Sequence, residues 1–585
     1  MGRNYRYENL TGGLNNVSTV GTINQSSNRT ESPDMMNVEY YKLGGIKSME
    51  GNTRLGDIQG TSIIAGWEYA KGNTRYMMIG LSDGSVKRYD QLTDTFVEVY
   101  KFPSVSTRMS FCNMNNGVVA TNGVDDMVFY EYGRNTMLAG TVSITEGSQD
   151  VVGTNTLFET DVYVGDSVVI DNNVYFVEEI TDETHLKLST AATSTASDVT
   201  FRLGELSLCN AYLTSSDDPN LKTPIRGLAI QFFNGKLWVG SGNALFYSEL
   251  GHYNRWDNTL GAGVLQSIYN DTSDIKALGL YSSYRIIHKE FYSYLLVGGD
   301  TEENMQITPY AAISCDSQQS WVNMETKYLV FSRENMGVYP LLQRNIFTDK
   351  YLADELSAKI RNIFLQVDTN NSDKIFFVKY PKKRYMLGYF PNAYNPGSSL
   401  AAIYDFQTKT GLLRLVPQDV TIVFEYDNKV FIGTRDGKVL EEFRGSTFDG
   451  EAINAYWKSP WFEFGDGSLF KSIEEFALYT PEDFTSRFYI NVYRDGESTF
   501  AQREVTGEIY DVKALIWEGL IDTGENPTVW DDWNWVKEQF FQYRFPLEKS
   551  FFRMYQIEFK ITEPNQAFAI GGFGFNRVEA EEVPW

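Results

Sequence analysis

Cysteine and histidine are scarce in this 585-residue chain, three of each. Cys112, Cys209 and Cys315 are far apart and odd in number, which excludes a disulfide framework and a cysteine-built metal site. His185, His252 and His288 stand alone, with no His-x-x-x-His spacing to grip a metal. No apolar run approaches a membrane span. The start, Met1-Gly2-Arg3-Asn4-Tyr5, is polar and leads into no apolar stretch, so it does not read as a signal peptide. Positive charge is the minority: 51 Lys and Arg stand against 76 Asp and Glu, a net of −25, the wrong sign for a basic nucleic-acid reader. No P-loop or dinucleotide fingerprint occurs. What is abundant is aromatic: 11 Trp, 37 Tyr and 38 Phe make 15% of residues, more than a disordered chain carries. The length suggests three to five domains, and the whole reads as a soluble, acidic protein assembled in a reducing compartment.

Strand signals dominate: short runs of Val, Ile, Tyr and Phe closed by Asn-Gly, Asp-Gly or Asp-Asn turns. One pattern repeats. Ile230–Phe246 aligns without a gap to Val423–Val439, sharing three apolar residues, a glycine (Gly240, Gly433), two variable positions, Asn243 or Asp436, a small residue and a returning apolar position. Met77–Val86 fits the frame through Gly80 and Asp83-Gly84, and Leu295-Leu296-Val297-Gly298 begins it before diverging. A strand ending at glycine, a tight turn and a returning strand, repeated at irregular intervals, predict an irregular β-propeller, with hairpins of a sandwich as the plainer alternative. Thr141–Ile144, Ser167–Ile170, Val174–Val177 and Thr184–Leu188 read as strands of a small inserted barrel, the middle two joined by Asp171-Asn172-Asn173. Leu352, Leu356, Ile360, Ile363, Phe364 and Val367 share one helical face, with Thr348 as a cap, and predict a helix packed outside the sheets. From Ser446 onward 7 of the 11 tryptophans and a net charge of −13 collect beside alternating strands, Arg487–Tyr493 and Phe552–Ile561, that suit a sandwich.

Catalytic chemistry is hard to find. Asp217-Asp218, Glu302-Glu303, Glu474-Glu475 and Asp531-Asp532 are adjacent carboxylates, but neighbours on an extended strand point to opposite faces and make poor glycosidase pairs. Asp83-Gly84 and Asp436-Gly437 read as turn residues. Trp530, Trp533 and Trp535 suit a sugar-stacking platform or, as favoured here, packing or a subunit interface, and Trp585 joins them as a candidate partner contact. Lys379-Tyr-Pro-Lys382-Lys383-Arg384 is the one dense basic run, and as a nucleic-acid site it is weak.

Several stretches together resemble the tail nozzle proteins of short-tailed bacteriophages, also called packaged-DNA stabilisation or tail tubular proteins. They are Leu10-Thr-Gly-Gly-Leu-Asn15, Ser32–Val38, Leu43-Gly-Gly-Ile-Lys47 and Gly51–Arg54, then Gly66-Trp-Glu-Tyr69 through Gly80, the insert's Gly153–Phe158 and Val164–Val168, and Trp457–Asp466 with Lys471. The resemblance implies an all-β chain: an N-terminal arm and first strands (1–60), propeller (61–139), inserted β-barrel (140–204), propeller (205–445) and C-terminal β-sandwich (446–585). It implies a virion structural protein rather than an enzyme, assembled in the bacterial cytoplasm into a homohexameric ring below the portal and adaptor. Double-stranded DNA is retained in its channel and passes through on ejection without sequence readout; no cofactor and no metal is expected. An acidic wall repels phosphate and lets DNA slide. A propeller-type tail glycan depolymerase and a carbohydrate-binding host-recognition module are the rival readings.

Overall fold

In the computed structural model nearly every ordered element is a strand. The structure describes all residues except 1, 19–22, 24–28, 42–43, 215–221, 257–260, 266–267, 282–283, 299–303, 325–326, 333–336, 342–355, 365–373, 392–396, 482–486, 497–500, 507–539, 547–550 and 582–585.

Seven antiparallel meanders follow one another along the chain, beginning at Ile63–Lys71, Ser110–Met114, Ala229–Phe233, Ala277–Tyr281, Trp321–Asn323, Phe376–Tyr380 and Val420–Tyr426. The first strand of each meets the first strand of the next, and Val420–Tyr426 returns to Ile63–Lys71, so the seven meanders are blades of a closed β-propeller around a central axis. Six blades have four strands; blade 5 has three among the described residues. The ring closes with a strand from the other end of the chain, because Asn52–Leu55 is the outer strand of blade 7, paired to Val439–Glu442.

The repeat found in the sequence is the first three strands of blades 3 and 7 and the second and third of blade 1. Its first turn needs φ > 0 at both central residues, supplied by Asn234-Gly235 in blade 3 and Asp427-Asn428 in blade 7. Its glycine has a packing cause. A Cβ on Gly240 would lie 2.6 Å from Ile275 Cγ2, on Gly433 2.7 Å from Ile63 Cγ2, and on Gly80 2.6 Å from Met109 Sδ. Each intruder is the apolar residue at the start of the next blade's inner strand, seated where a side chain would be. In blade 4 the corresponding position, opposite Ala277, holds His288. Leu295–Gly298 is the third strand of its blade rather than the second, which is why it leaves the frame.

Blade 2 carries the insert between its third and fourth strands. Thr141–Ile144, Asp150–Thr154, Asp166–Ile170, Asn173–Asp182, His185–Leu188 and Ala196–Val199 wrap a separate apolar core of Val142, Phe158, Val168, Leu186 and Phe201. Strand Phe201–Leu208 runs across residue 204 and serves both bodies: Phe201–Leu203 and Ser207 pair with Asp166–Ile170, and Leu206–Leu208 with Val128–Tyr130.

Beyond blade 7 two sheets face each other. One orders Arg3–Tyr7, Gly572–Glu581, Phe470–Pro481 and Phe540–Pro546; the other Met35–Met36, Ala455–Lys458, Tyr555–Ile561, Arg487–Arg494 and Ala501–Thr506. Tyr7, Trp457, Phe462, Phe559, Phe573 and Phe575 fill the space between them. Residues 1–60, expected as an N-terminal arm and first strands, thus supply strands to both sandwich sheets before closing the propeller. Of the helix expected from Thr348 onward, the described residues hold the turns Ala358–Ile360 and Arg361–Phe364, with Phe364 buried against Phe331 and Phe390; Thr348, Leu352 and Val367 lie outside the described residues.

Candidate functional site

Successive connections in a meander alternate between its two ends, so every third-to-fourth-strand connection lies on one face of the propeller. The barrel leaves from that connection in blade 2 and the sandwich from its counterpart in blade 7. Both added modules therefore hang from the same face. They also carry the charge. Residues 140–204 hold eleven acidic and two basic residues, a net of −9, and residues 446–585 a net of −13, leaving −3 for the other 380. The acidity of the chain belongs to these two modules, which the chain enters from one face of the propeller.

The barrel is held by a buried polar joint. Asp166, fully buried, accepts from Ser207 Oγ (2.6 Å), Arg134 Nη2 (3.3 Å) and Tyr253 Oη (3.3 Å) through Oδ1, and from Tyr163 N (3.0 Å) through Oδ2. Tyr253 stacks on Phe129 with ring centroids 4.1 Å apart, and Arg255 lies 4.5 Å over the Tyr163 ring. The joint ties insert, blade 2 and blade 3 together.

On the same face, the inner strands end in a charged and polar rim around the central channel. Trp67 Nε1 donates to Asn113 Oδ1 (2.8 Å), Asp427 N to Glu68 Oε2 (2.6 Å), and Asn323 Nδ2 to Leu280 O (3.0 Å), each bond crossing between blades. Glu68 pairs with Arg75 (2.7 Å) and Glu425 with Lys379 (3.8 Å). Burial pushes the Glu425 carboxyl up, with Lys379 opposing and nearby Glu68 adding to the rise. Two of its carboxylates, Glu68 and Glu425, are matched by two cations, and its hydrogen bonds stitch neighbouring blades.

The residues singled out in the sequence have the following places. Glu474 pairs with Arg577 (2.8 Å) while Glu475 accepts from Asn576 (2.5 Å), each on its own side of strand Phe470–Pro481. Asp217-Asp218, Glu302-Glu303, Asp531-Asp532, Trp530, Trp533, Trp535 and Trp585 lie outside the described residues. Asp83 and Asp436 sit in turns, bonded to Ser85 and Thr434. The basic run is half engaged: Lys379 meets Glu425, and Lys383 meets the buried Glu39 at 2.6 Å over the Phe443 ring, while Lys382 and Arg384 are exposed. His185 is exposed beside Asp182, and His252 lies against Tyr163. His288 is fully buried between Ser293 Oγ (2.8 Å) and Tyr328 Oη (2.7 Å), and burial lowers its pKa to about 3. No group of three metal-ligating side chains occurs among the described residues. A narrow seam between blades 3 and 4 is walled by Phe233, Trp238, Leu278 and Ile287, with Arg285 4.0 Å over Trp238, and with room for about 10 Å³ it is packing rather than a ligand pocket.

Sequence reasoning missed the joints. Arg414 and Glu442, both fully buried, form an ion pair across blades 6 and 7, and Arg134 and Asp166 another across insert and propeller. Their partners are distant in sequence and obey no local spacing.

No family model and no curated protein matches the chain. Among solved structures it is similar to the computationally designed Ika8 protein (13% identity, 68% of this chain and 100% of that one, TM-score 0.33) and to the WD40 β-propeller domain of Doa1 (10%, 68% and 96%, 0.32). It is also similar to BamB from Moraxella catarrhalis (9%, 68% and 97%, 0.31).

Proposed function

We propose that the chain is a structural subunit of a bacteriophage tail nozzle, a ring of copies whose central hole holds packaged DNA and conducts it on ejection. The observation that carries the reading is the segregation of charge: nearly all of the −25 lies in two modules that leave a near-neutral propeller from one face. A wall of that sign repels a phosphate backbone, and in the one dense basic run Lys379 and Lys383 are engaged in ion pairs. In this reading the duplex passes between copies, and the propeller's own channel, rimmed by bonds between neighbouring blades, is scaffold. The glycines of the resembling N-terminal stretch support a shared architecture. A Cβ on Gly12 would meet Thr30 O at 2.3 Å and one on Gly13 would meet Thr410 Cβ at 2.6 Å, so this element is shaped to seat the N-terminal segment on blade 6. The portal-adaptor stack and other tail proteins are the partners this role requires.

Imaging of the purified protein and of the virion tests the proposal. A six-fold ring with a duplex-wide hole at the tail tip is expected; a monomer, or a trimeric spike, overturns it. Truncation after Gly445 is a poor substitute, because it removes every partner of Arg3–Tyr7 and Met35–Met36.

A further inference from the structure

The first fifty-five residues are used three times. Arg3–Tyr7 and Met35–Met36 are strands of the two sandwich sheets. Between and after them the segment lies along the outer edge of blade 6: Leu14 N donates to Gly411 O (3.0 Å) and Asn37 N to Leu413 O (2.9 Å), while Asn37 Oδ1 accepts from Leu415 N (2.9 Å). Asn52–Leu55 then becomes the outer strand of blade 7. The segment is a strap from sandwich to ring.

Where the strap enters the ring it is clamped. Arg414, on the outer strand of blade 6, donates from Nε to Glu442 Oε2 (2.5 Å), from Nη1 to Glu50 O (2.7 Å) and from Nη2 to Gly51 O (2.9 Å). Glu442 Oε1 accepts from Asn52 Nδ2 (2.9 Å). The guanidinium lies 4.6 Å from the ring centre of Phe443 and 4.8 Å from that of Phe448, residues of the connection leading out to the sandwich. Only glycine fits at the crossing, since a Cβ on Gly51 would sit 1.8 Å from Thr447 O. One side chain therefore holds blade 6, blade 7, the strap and the sandwich connection. A buried ion pair that loses one partner leaves an uncompensated charge, so the clamp does not yield piecemeal. One apolar core also runs without a break from Leu412 and Val439 through Met36 and Phe448 to Trp457 and Phe573.

We infer that the strap and its Arg414 clamp make closure of the propeller ring and integrity of the C-terminal sandwich a single cooperative unit: the ring does not open at blade 7 while the sandwich stays folded. The inference is independent of any role in a tail.

Native-state hydrogen exchange of the full-length chain, read by mass spectrometry at rising sub-denaturing concentrations of urea, tests it. Amides of Asn52–Leu55 and Val439–Glu442 are expected to lose protection together with those of Tyr555–Ile561 and Gly572–Glu581, with one urea dependence. Exchange of Asn52–Leu55 ten-fold or more ahead of the sandwich strands overturns the inference. Arg414→Met is expected to speed exchange at least ten-fold in both regions. Adding Thr53→Cys with Glu441→Cys, which face each other across the closing pair, is expected to restore protection in both when oxidised and to lose it on reduction. Restoration in the ring alone refutes the coupling. Should Arg414→Met fail to fold, the wild-type urea series decides.

Discussion

Gly240→Ala isolates the physical reason for the repeat. The φ of Gly240 lies outside the left-handed region, so alanine meets no backbone penalty and the cost is contact alone. The new methyl would lie 2.6 Å from Ile275 Cγ2, 3.0 Å from Ile275 Cβ and 3.2 Å from Ala229 Cβ, against an optimum of about 3.5–4.0 Å. Ile275 is buried and β-branched, so it cannot swing aside, and overpacking of this kind costs about 1–3 kcal/mol. Ile275→Ala alone empties the slot and costs about 2–5 kcal/mol. Together the two changes exchange one filler for another, so their combined loss should fall at least about 1 kcal/mol short of the sum. Urea unfolding of the four chains measures this cycle. The same geometry ranks the sister positions. Gly433→Ala meets Ile422 Cγ2 at 2.6 Å and both Cγ2 and Cβ of Ile63 within 2.8 Å, and should sit at the top of the range. Gly80→Ala meets chiefly the flexible end of Met109 and should cost least. Additive losses at Gly240 and Ile275, or Gly80→Ala as the worst of the three, would refute the reasoning.

Further expectations concern buried ionisable groups. The His288 pKa is about 3 in the fold against 6.5 when free, so the unfolded chain takes the proton first. Its contribution is complete above about pH 6.5 and falls as pH drops toward 3; the free-energy gap between wild type and His288→Gln should narrow by about 2 kcal/mol from pH 8 to pH 5, and a pH-independent gap contradicts the assignment. All three thiols are buried, with Cys112 pushed up to about 12 and Cys209 and Cys315 raised well above the ordinary value. A thiol reagent at pH 8 should label them only as the chain unfolds, and immediate labelling would show an open core. Asp166→Ala strands the Arg134 guanidinium, whose side chain is 13% exposed, and should loosen the barrel joint by about 3 kcal/mol. Trypsin should then cut after Arg134 much faster than in wild type, and equal cleavage rates would mean that the joint does not hold the barrel.

What could be read from the sequence was what is local. Asn234-Gly235 and Asp427-Asn428 announced hairpins because φ > 0 at two successive residues restricts residue choice strongly. The frame around Gly80, Gly240 and Gly433 announced blades because each blade meets the next in the same way. Four of the six barrel strands were legible, and Asp171-Asn172 from its turn, with Asn173 already in the following strand, whereas Asp150–Thr154 and Ala196–Val199 escaped. What escaped was non-local. Asn52–Leu55 pairs with residues nearly four hundred positions away, and nothing in Asn-Thr-Arg-Leu names its partner. Leu295-Leu296-Val297-Gly298 matched the frame by composition alone, since a second and a third strand of a blade bury similar side chains. Charge was half legible. The C-terminal excess stood out by count, but that the denser −9 of the insert shares its face follows only from the alternation of strand connections.

Several buried polar groups lie at joints between modules. Arg414 and Glu442 join blade 6 to blade 7 and the strap; Arg134, Asp166 and Tyr253 join insert to blades 2 and 3; His288 and Tyr328 join blade 4 to blade 5; Glu39, Lys47 and Lys383 join the N-terminal strands to blade 6. Within blades the cores are aliphatic and aromatic, and such cores tolerate many arrangements of similar volume. Seven similar meanders that pack by the same apolar contacts could dock in the wrong order or register at little cost. A buried ion pair or an imidazole bonded on both nitrogens is satisfied in one docking only, and every wrong one leaves it unpaired at several kcal/mol. The buried ionisable side chains at these joints thus act to make each docking unique.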